Sequence, residues 1–267
     1  MAQASHPALE TLAEDLILLS PTVSGRIDAP LRLAHGLMGS ELIRLVAGGY
    51  VEIVKGRIVR PAIPPMPNDP ILREALSSTE GSPKAKRWVS KPRKQIKETY
   101  LRQLEARNVV RSESGKSLKV IPWTNWYPVD QQRHTVLRSR LDQIIAAPDP
   151  LGIEDRALAG LAYAIGLGDL FYAGREHKEQ RERLQQIARP KKPRRFGRHR
   201  DEAPEPLGDA TSASIEAADE SLRAVQDAIQ DAVDEAIGSA VDAAITAAVD
   251  GGHGGGHDGG GGGGHHG

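Results

Sequence analysis

Apolar residues recur at helical spacing through most of the first 190 positions. Leu9, Leu12, Leu16 and Leu19 form one stripe, which predicts a helix over 8–19, opened by His6-Pro7 and ended by Pro21 and Gly25. Glu10, Glu14 and Asp15 fall off that stripe and are expected to face solvent. A second helix is expected over 31–47, with Leu33, Leu37, Leu42 and Leu45 inward and Gly48-Gly49 as its stop. The pattern then shortens. Residues 50–54 and 57–59 flank Lys55-Gly56 and read as a hairpin. Five prolines between 61 and 70 exclude helix there, and a short helix is expected over 71–79. Helical spacing returns over 94–107, followed by a hairpin over 109–121 turning at Ser114-Gly115, and an aromatic turn over 123–128. Residues 132–146 predict a helix with Val136, Leu137, Leu141, Ile144 and Ile145 inward. Residues 153–165 are the most apolar helix and the expected centre of the core, and 175–188 is a polar helix.

Two stretches share one plan. Residues 42–59 and 101–120 both run from helix end through a turn into a hairpin, matching Leu42 with Leu101, Leu45 with Leu104, Ala47 with Ala106 and Val51 with Val110. Internal duplication and merely shared patterning both explain this. Beyond Pro190 the composition changes. A linker over 190–210 passes from basic (PKKPRRFGRHR) to acidic. Residues 205–250 then carry eleven acids against Arg223 alone, and Val or Ile recurs every fourth position, each after an Ala. A spacing of four drifts ~40° per step around a helix, which suits a winding contact with another helix; an unpartnered Ala-rich helix over 211–250 fits equally. Residues 251–267 are Gly and His with one Asp, a coil composition. His253, His257, His265 and His266 would take up a metal only adventitiously, because a glycine chain fixes no coordination geometry.

The expected fold class is therefore mainly α: a compact helical domain over 1–189 with short β-hairpins, then the linker, the Ala-rich helix and the Gly/His tail. The chain has no Cys among its 267 residues, which excludes thiolate chemistry and fits a reducing compartment. No basic n-region with an apolar run opens the sequence, and no charge-free apolar run reaches ~18–20 residues. The expectation is a cytoplasmic protein, with any contact to the inner face of a membrane peripheral.

Charge is what changes the picture. Lys+Arg and Asp+Glu are equal at 35, yet residues 84–123 carry twelve Lys/Arg against Glu98, Glu105 and Glu113. A sorted basic surface on a neutral chain points to an anionic partner. Lys94 and Lys97, three apart on the expected helix and adjacent to Arg93, would fall within ~60° of each other and share a phosphate. A single Lys pair is an ordinary solvated surface; the size of the cluster carries the expectation. Catalytic sets are not evident. The sequence has no P-loop and no HExxH, and no two of His6, His35, His134, His177 and His199 stand at ligand spacing. No cofactor and no enzymatic activity are expected. The two helix–hairpin units and the linker over 191–200 also fit a winged-helix nucleic-acid binder, though residues 42–47 offer only Arg44 for base readout. A third reading makes the tail a helix-docking or charge-shielding segment.

The order of segments adds a resemblance. LETLAEDLILL (9–19), ELIRLVAGGYV (41–51), DPILREAL (69–76), KETYLRQLEARNVV (97–110), residues 127–145 and DP…DRALAGLAYAIGLGDLFY (149–172) resemble, in order, segments of the Golgi phosphoprotein 3-like family, including its actinobacterial relatives. The resemblance covers roughly residues 9–190 and offers no counterpart for the tail. It implies a mostly helical domain with a projecting hairpin that binds phosphatidylinositol 4-phosphate in a basic pocket, self-associates and recruits protein clients. Two pocket arginines of the family fall on Lys94 and Lys97, which keeps the charge and loses the guanidinium fork. A third falls on Met38 and the pocket tryptophan near Ala29, with Arg26 and Arg32 close enough in sequence to substitute. The hairpin residues Arg111, Lys116, Leu118 and Lys119 are then the membrane or self-association contacts, at a tip more polar than that of eukaryotic members.

Overall fold

The computed structural model describes residues 11–30, 32–63, 65–117, 121–148 and 151–189. In chain order the elements are α1 (Leu12–Leu18), β1 (Thr22–Val23), β2 (Arg26–Ile27), α2 (Leu33–Ala47), β3 (Glu52–Val54), β4 (Arg57–Val59), α3 (Pro70–Ser77), α4 (Ala85–Val89), α5 (Ile96–Ala106), β5 (Val110–Ser117), β6 (Ile121–Pro128), α6 (Gln131–Ala146), α7 (Ile153–Ala164), α8 (Leu167–Phe171) and α9 (Lys178–Ala188). The fold class is the expected one: mainly α, with three two-stranded antiparallel hairpins among the described residues. The linker, the Ala/Val/Ile helix, the Gly/His tail and the start of the first helix lie outside the described residues. None of the described helices is long and apolar enough to cross a membrane.

The core forms where α1, α2 and α7 meet, with α5, α6 and α9 closing around them. Leu16, Leu37, Leu42, Leu45, Leu158 and Leu161 are fully buried there. Gly36 lets the three helices approach. A Cβ on it would stand 2.5 Å from Ile165 Cγ2 and 3.5 Å from Leu16 Cδ1. The apolar stretch after α7 does not continue as one helix, because Gly166 takes φ 84° and starts α8 in a new direction.

The first helix corrects the expectation for Glu14 and Asp15. Every residue of α1 is buried, because α2, α5, α6 and α7 all touch it. A helix covered on all sides has no solvent face to offer its acids, so they must be partnered. Glu14 is bonded to Arg107. Asp15 accepts from Thr11 Oγ1 at 3.2 Å and lies 3.9 Å from Arg140; burial pushes its carboxyl above the ordinary range. Val136 is corrected the other way, standing 66% exposed on α6.

The two helix–hairpin units share their joint as well as their pattern. At the end of α2, Gly49 (φ 67°) donates to Val46 O, and Tyr50 donates back to Leu45 O. At the end of α5, Asn108 (φ 57°) donates to Glu105 O, and Val109 donates to Leu104 O. Both are Schellman caps, at matched positions, and Val51 and Val110 are both buried beyond them. The first unit turns at Lys55-Gly56, both with positive φ, as a primed hairpin turn requires. A similar turn at Ser24-Gly25 joins β1 to β2, where only a helix stop was expected.

The second hairpin is longer than expected, and its turn is elsewhere. Ser114 and Gly115 are strand residues paired with Thr124 and Trp123, and the register runs out to Ser117↔Ile121. The presumed aromatic turn over 123–128 is the return strand. Ser-Gly reads locally as a turn, but the glycine has another use. A Cβ there would lie 2.5 Å from Trp123 Cζ2, so the indole occupies the space above Gly115.

Candidate functional site

The basic segment is held to the body by α4, a helix not expected in its Pro-broken sequence. Trp88 is buried and donates from Nε1 to Ser78 Oγ at 2.9 Å. Lys84 bridges to Arg57 on β4. Trp88 and Val89 turn inward, so Lys84, Lys86, Arg87 and Lys91 are left on the exposed side.

The next turn departs from the helix expected over 94–107. Gln95 takes φ 66° and α5 starts at Ile96. Lys94 therefore precedes the helix, and Lys97 sits in its first turn. The two do not share a helical face. Both are exposed, and among the described residues neither ammonium makes an ion pair or hydrogen bond. Gln95 supplies no side-chain cap. First-turn N–H groups of an uncapped helix remain donors for an anion, on the positive end of the helix dipole.

This first turn forms one wall of a cavity of about 360 Å³. Arg93, Gln95, Ile96, Lys97, Glu98 and Leu101 line it on one side, and Ile27, Ala29, Ala34 and Trp126 on the other. Contact between β2 and β6 brings the second wall together. The cavity is apolar inside, with its cations at one edge. Glu98, the one acid of the lining, is paired with Arg102 at 3.0 Å.

Arg93 is more constrained than its sequence neighbours. Its guanidinium makes a fork to Glu41, Nη1 to Oε2 at 2.6 Å and Nη2 to Oε1 at 2.5 Å, and lies 3.4 Å from Glu74. Nη1 also stands 3.7 Å from Met38 Sδ. Glu41 is fully buried on α2 and accepts from Tyr100 Oη at 3.2 Å. Burial pushes the Glu41 carboxyl up, against the pull of Arg93 and Tyr100. Burial and the neighbouring Glu41 push the Tyr100 phenol well above its ordinary value. Arg93 thus ties the basic segment to α2 and α3 while lining the cavity edge.

The structure brings some of the expected residues together and leaves others apart. Ala29, Arg93 and Lys97 line one cavity, Met38 touches Arg93, and Lys94 stands between two lining residues. Arg26 lies beside the lining residue Ile27 and donates to Asn125 Oδ1 at 3.4 Å, outside the cavity itself. Arg32 is half-buried before α2; its Nη1 would lie 3.7 Å from a Cβ on Gly166, at the α7–α8 joint. Arg111 pairs with Glu113 and covers the Tyr127 ring at 4.7 Å. Lys116 belongs to β5, paired with Pro122. Leu118, Lys119 and the four tail histidines lie outside the described residues. Among the described residues no group of three or more His, Asp and Glu is placed to hold a metal.

Glu41, Glu74 and Tyr100 were not singled out in the sequence. A signal for Glu41 existed. It falls among Met38, Leu42 and Leu45 on the inward stripe of α2, where a carboxylate must find a cation.

A family model described as Golgi phosphoprotein 3 (GPP34) matches residues 12–248. The match runs beyond the span of roughly 9–190 over which the resemblance was drawn, and takes in the acidic Ala-rich segment. No curated protein matches the chain.

Proposed function

The chain belongs to the Golgi phosphoprotein 3 (GPP34) family, and from that premise we propose that it is a non-enzymatic peripheral membrane protein that binds the phosphate of an anionic lipid. The observation that carries the reading is the cavity beside the uncapped start of α5. Lys97 and Arg93 stand at its edge, Lys94 is adjacent, and of the first-turn N–H groups that of Ile96 is taken by Arg93 O while those of Lys97 and Glu98 are left for an anion. Of the five arginines in the basic segment, all but Arg87 are spent, on Glu41, Glu98, Glu14 and Glu113, whereas Lys94 and Lys97 face solvent. Lys ammoniums act as point charges rather than forks, which favours attraction to an anionic surface over strict reading of one head group. Each Lys near such a surface contributes about 1 kcal/mol. A phosphoinositide resembling phosphatidylinositol 4-phosphate fits this chemistry, as do other anionic lipids. Ala29 and Met38 leave fewer polar contacts to distinguish them. Self-association and recruitment of a client protein extend the same reading to the hairpin β5–β6.

Flotation with vesicles tests it. Binding should rise with the anionic-lipid fraction, and the Lys94→Glu/Lys97→Glu variant should lose about thirtyfold or more, since removing even two charges at ~1 kcal/mol each is worth about 2 kcal/mol. Unchanged flotation of that variant would remove both lysines from the site. Duplex DNA serves as the competitor. Sequence-selective retention of DNA in preference to vesicles would favour a winged-helix reading of the repeated helix–hairpin units.

A further inference from the structure

The described residue with the most exposed apolar side chain is Ile63, at 91%, followed by Met66 at 72%. Both lie in the loop between β4 and α3. Large apolar side chains held this far into water are normally an interaction surface when they occur together. Among the described residues of this loop, three prolines restrict the backbone. Pro61 and Pro65 are part-buried, Pro67 is buried, and each has φ fixed by its ring. A ring-fixed φ at these positions reduces the ordering that binding would otherwise demand.

Both ends of the loop are tied to one platform. At its start, Arg60 donates from Nε to Thr79 Oγ1 at 2.9 Å and from Nη2 to Leu76 O, at the end of α3. At its close, Asp69 caps the start of α3, accepting from Ile71 N at 2.9 Å, and pairs with Arg44 at 2.7 Å. The same α3 carries the basic segment. Trp88 of α4 bonds to Ser78 just past its end, and Arg93 meets Glu74 in its middle. The apolar loop and the exposed cations of 84–94 are therefore mounted on a single short helix. An apolar projection with positive charge beside it complements an anionic bilayer, whose surface attracts the cations and whose interior takes the apolar side chains.

We infer that the β4–α3 loop inserts Ile63 and Met66 into the outer layer of an anionic membrane, acting as an apolar wedge beside the lysine-rich surface. This rests on the lipid reading above and adds a second contact to it, distinct from the phosphate cavity. The electrostatic contact is weakened by salt; the wedge is not, so it gives the bound protein a salt-resistant component and a fixed orientation.

The absence of Cys allows a direct test on the full chain. An Ile63→Cys variant, labelled with an environment-sensitive fluorophore, should brighten and shift to the blue with phosphatidylserine-containing vesicles and stay unchanged with pure phosphatidylcholine. A Ser77→Cys variant, labelled on the exposed side of α3, is the control and should respond little. An Ile63→Ser/Met66→Ser variant should bind the same vesicles about tenfold more weakly, with the remaining binding abolished by high salt. Vesicle binding with no change at the Ile63→Cys label would overturn the wedge and leave the lipid reading intact. Failure of the wild-type chain to bind any anionic vesicle would overturn both. Unaltered vesicle binding by the serine variant, together with loss of a self-associated species, would assign the loop to contact between copies of the chain instead.

Discussion

Glu41 shows how a single residue holds this arrangement. Its carboxylate is fully buried, and the Arg93 fork is 17% exposed. Such a pair is weak evidence for stability as a whole, but removing one member leaves the other charge buried without compensation. Glu41→Ala should therefore cost about 3–5 kcal/mol, read as a lower urea midpoint. It should also release Arg93 and the segment leading to Lys97, so proteolysis between α4 and α5 should quicken. Glu41→Ala/Arg93→Met should recover much of the loss, because no buried charge remains; if the double variant is as unstable as the single one, the pair is not the cause. The sequence placed a carboxylate on the inward stripe of α2, but the partner comes from 52 residues later. Nothing local to either residue identifies the other.

Among the elements, the hairpin β5–β6 depends on Gly115, a strand residue. Its strands were legible as two runs, but Ser114-Gly115 has the composition of a turn and the register was misplaced accordingly. What decides the matter is the Trp123 indole lying over the glycine, a contact between strands rather than a property of either. Gly115→Val should displace that indole, giving a red-shifted tryptophan emission and a loss of roughly 1–3 kcal/mol from overpacking. The helices before the site followed their periodicity well in the middle and less well at the ends. Gln95 in the left-handed region moved the start of α5 and took Lys94 off the helix, which the amphipathic pattern alone did not show.

At the scale of the whole molecule, His35 on α2 and His134 on α6 couple the fold to pH. Burial lowers both pKa values; for His35 the nearby Arg32 adds to this against a bond to the Ser90 backbone, and for His134 the nearby Arg138 adds to it. A lowered folded-state value means the unfolded chain binds protons first as pH falls. The stability these groups contribute is complete above the unfolded value of about 6.5 and is lost as pH drops through their lower folded values. Glu41 and Asp15, shifted upward, act in the opposite sense, so the test is a difference. His35→Gln/His134→Gln should flatten the fall of the melting temperature between neutral and mildly acidic pH relative to wild type; an unchanged profile would count against it. By itself the sequence determined the class of fold, the two helix–hairpin units, the basic segment and the family resemblance, because periodicity, turn residues and sorted charge are written in neighbouring positions. Only the tertiary structure decided which charges are spent and which remain. It buried Glu14, Asp15 and Glu41, paired four of the five arginines of the basic segment, and gathered Ala29, Arg93, Lys97 and Trp126 around one cavity. Burial and pairing depend on elements far apart in the chain, and no local pattern encodes them.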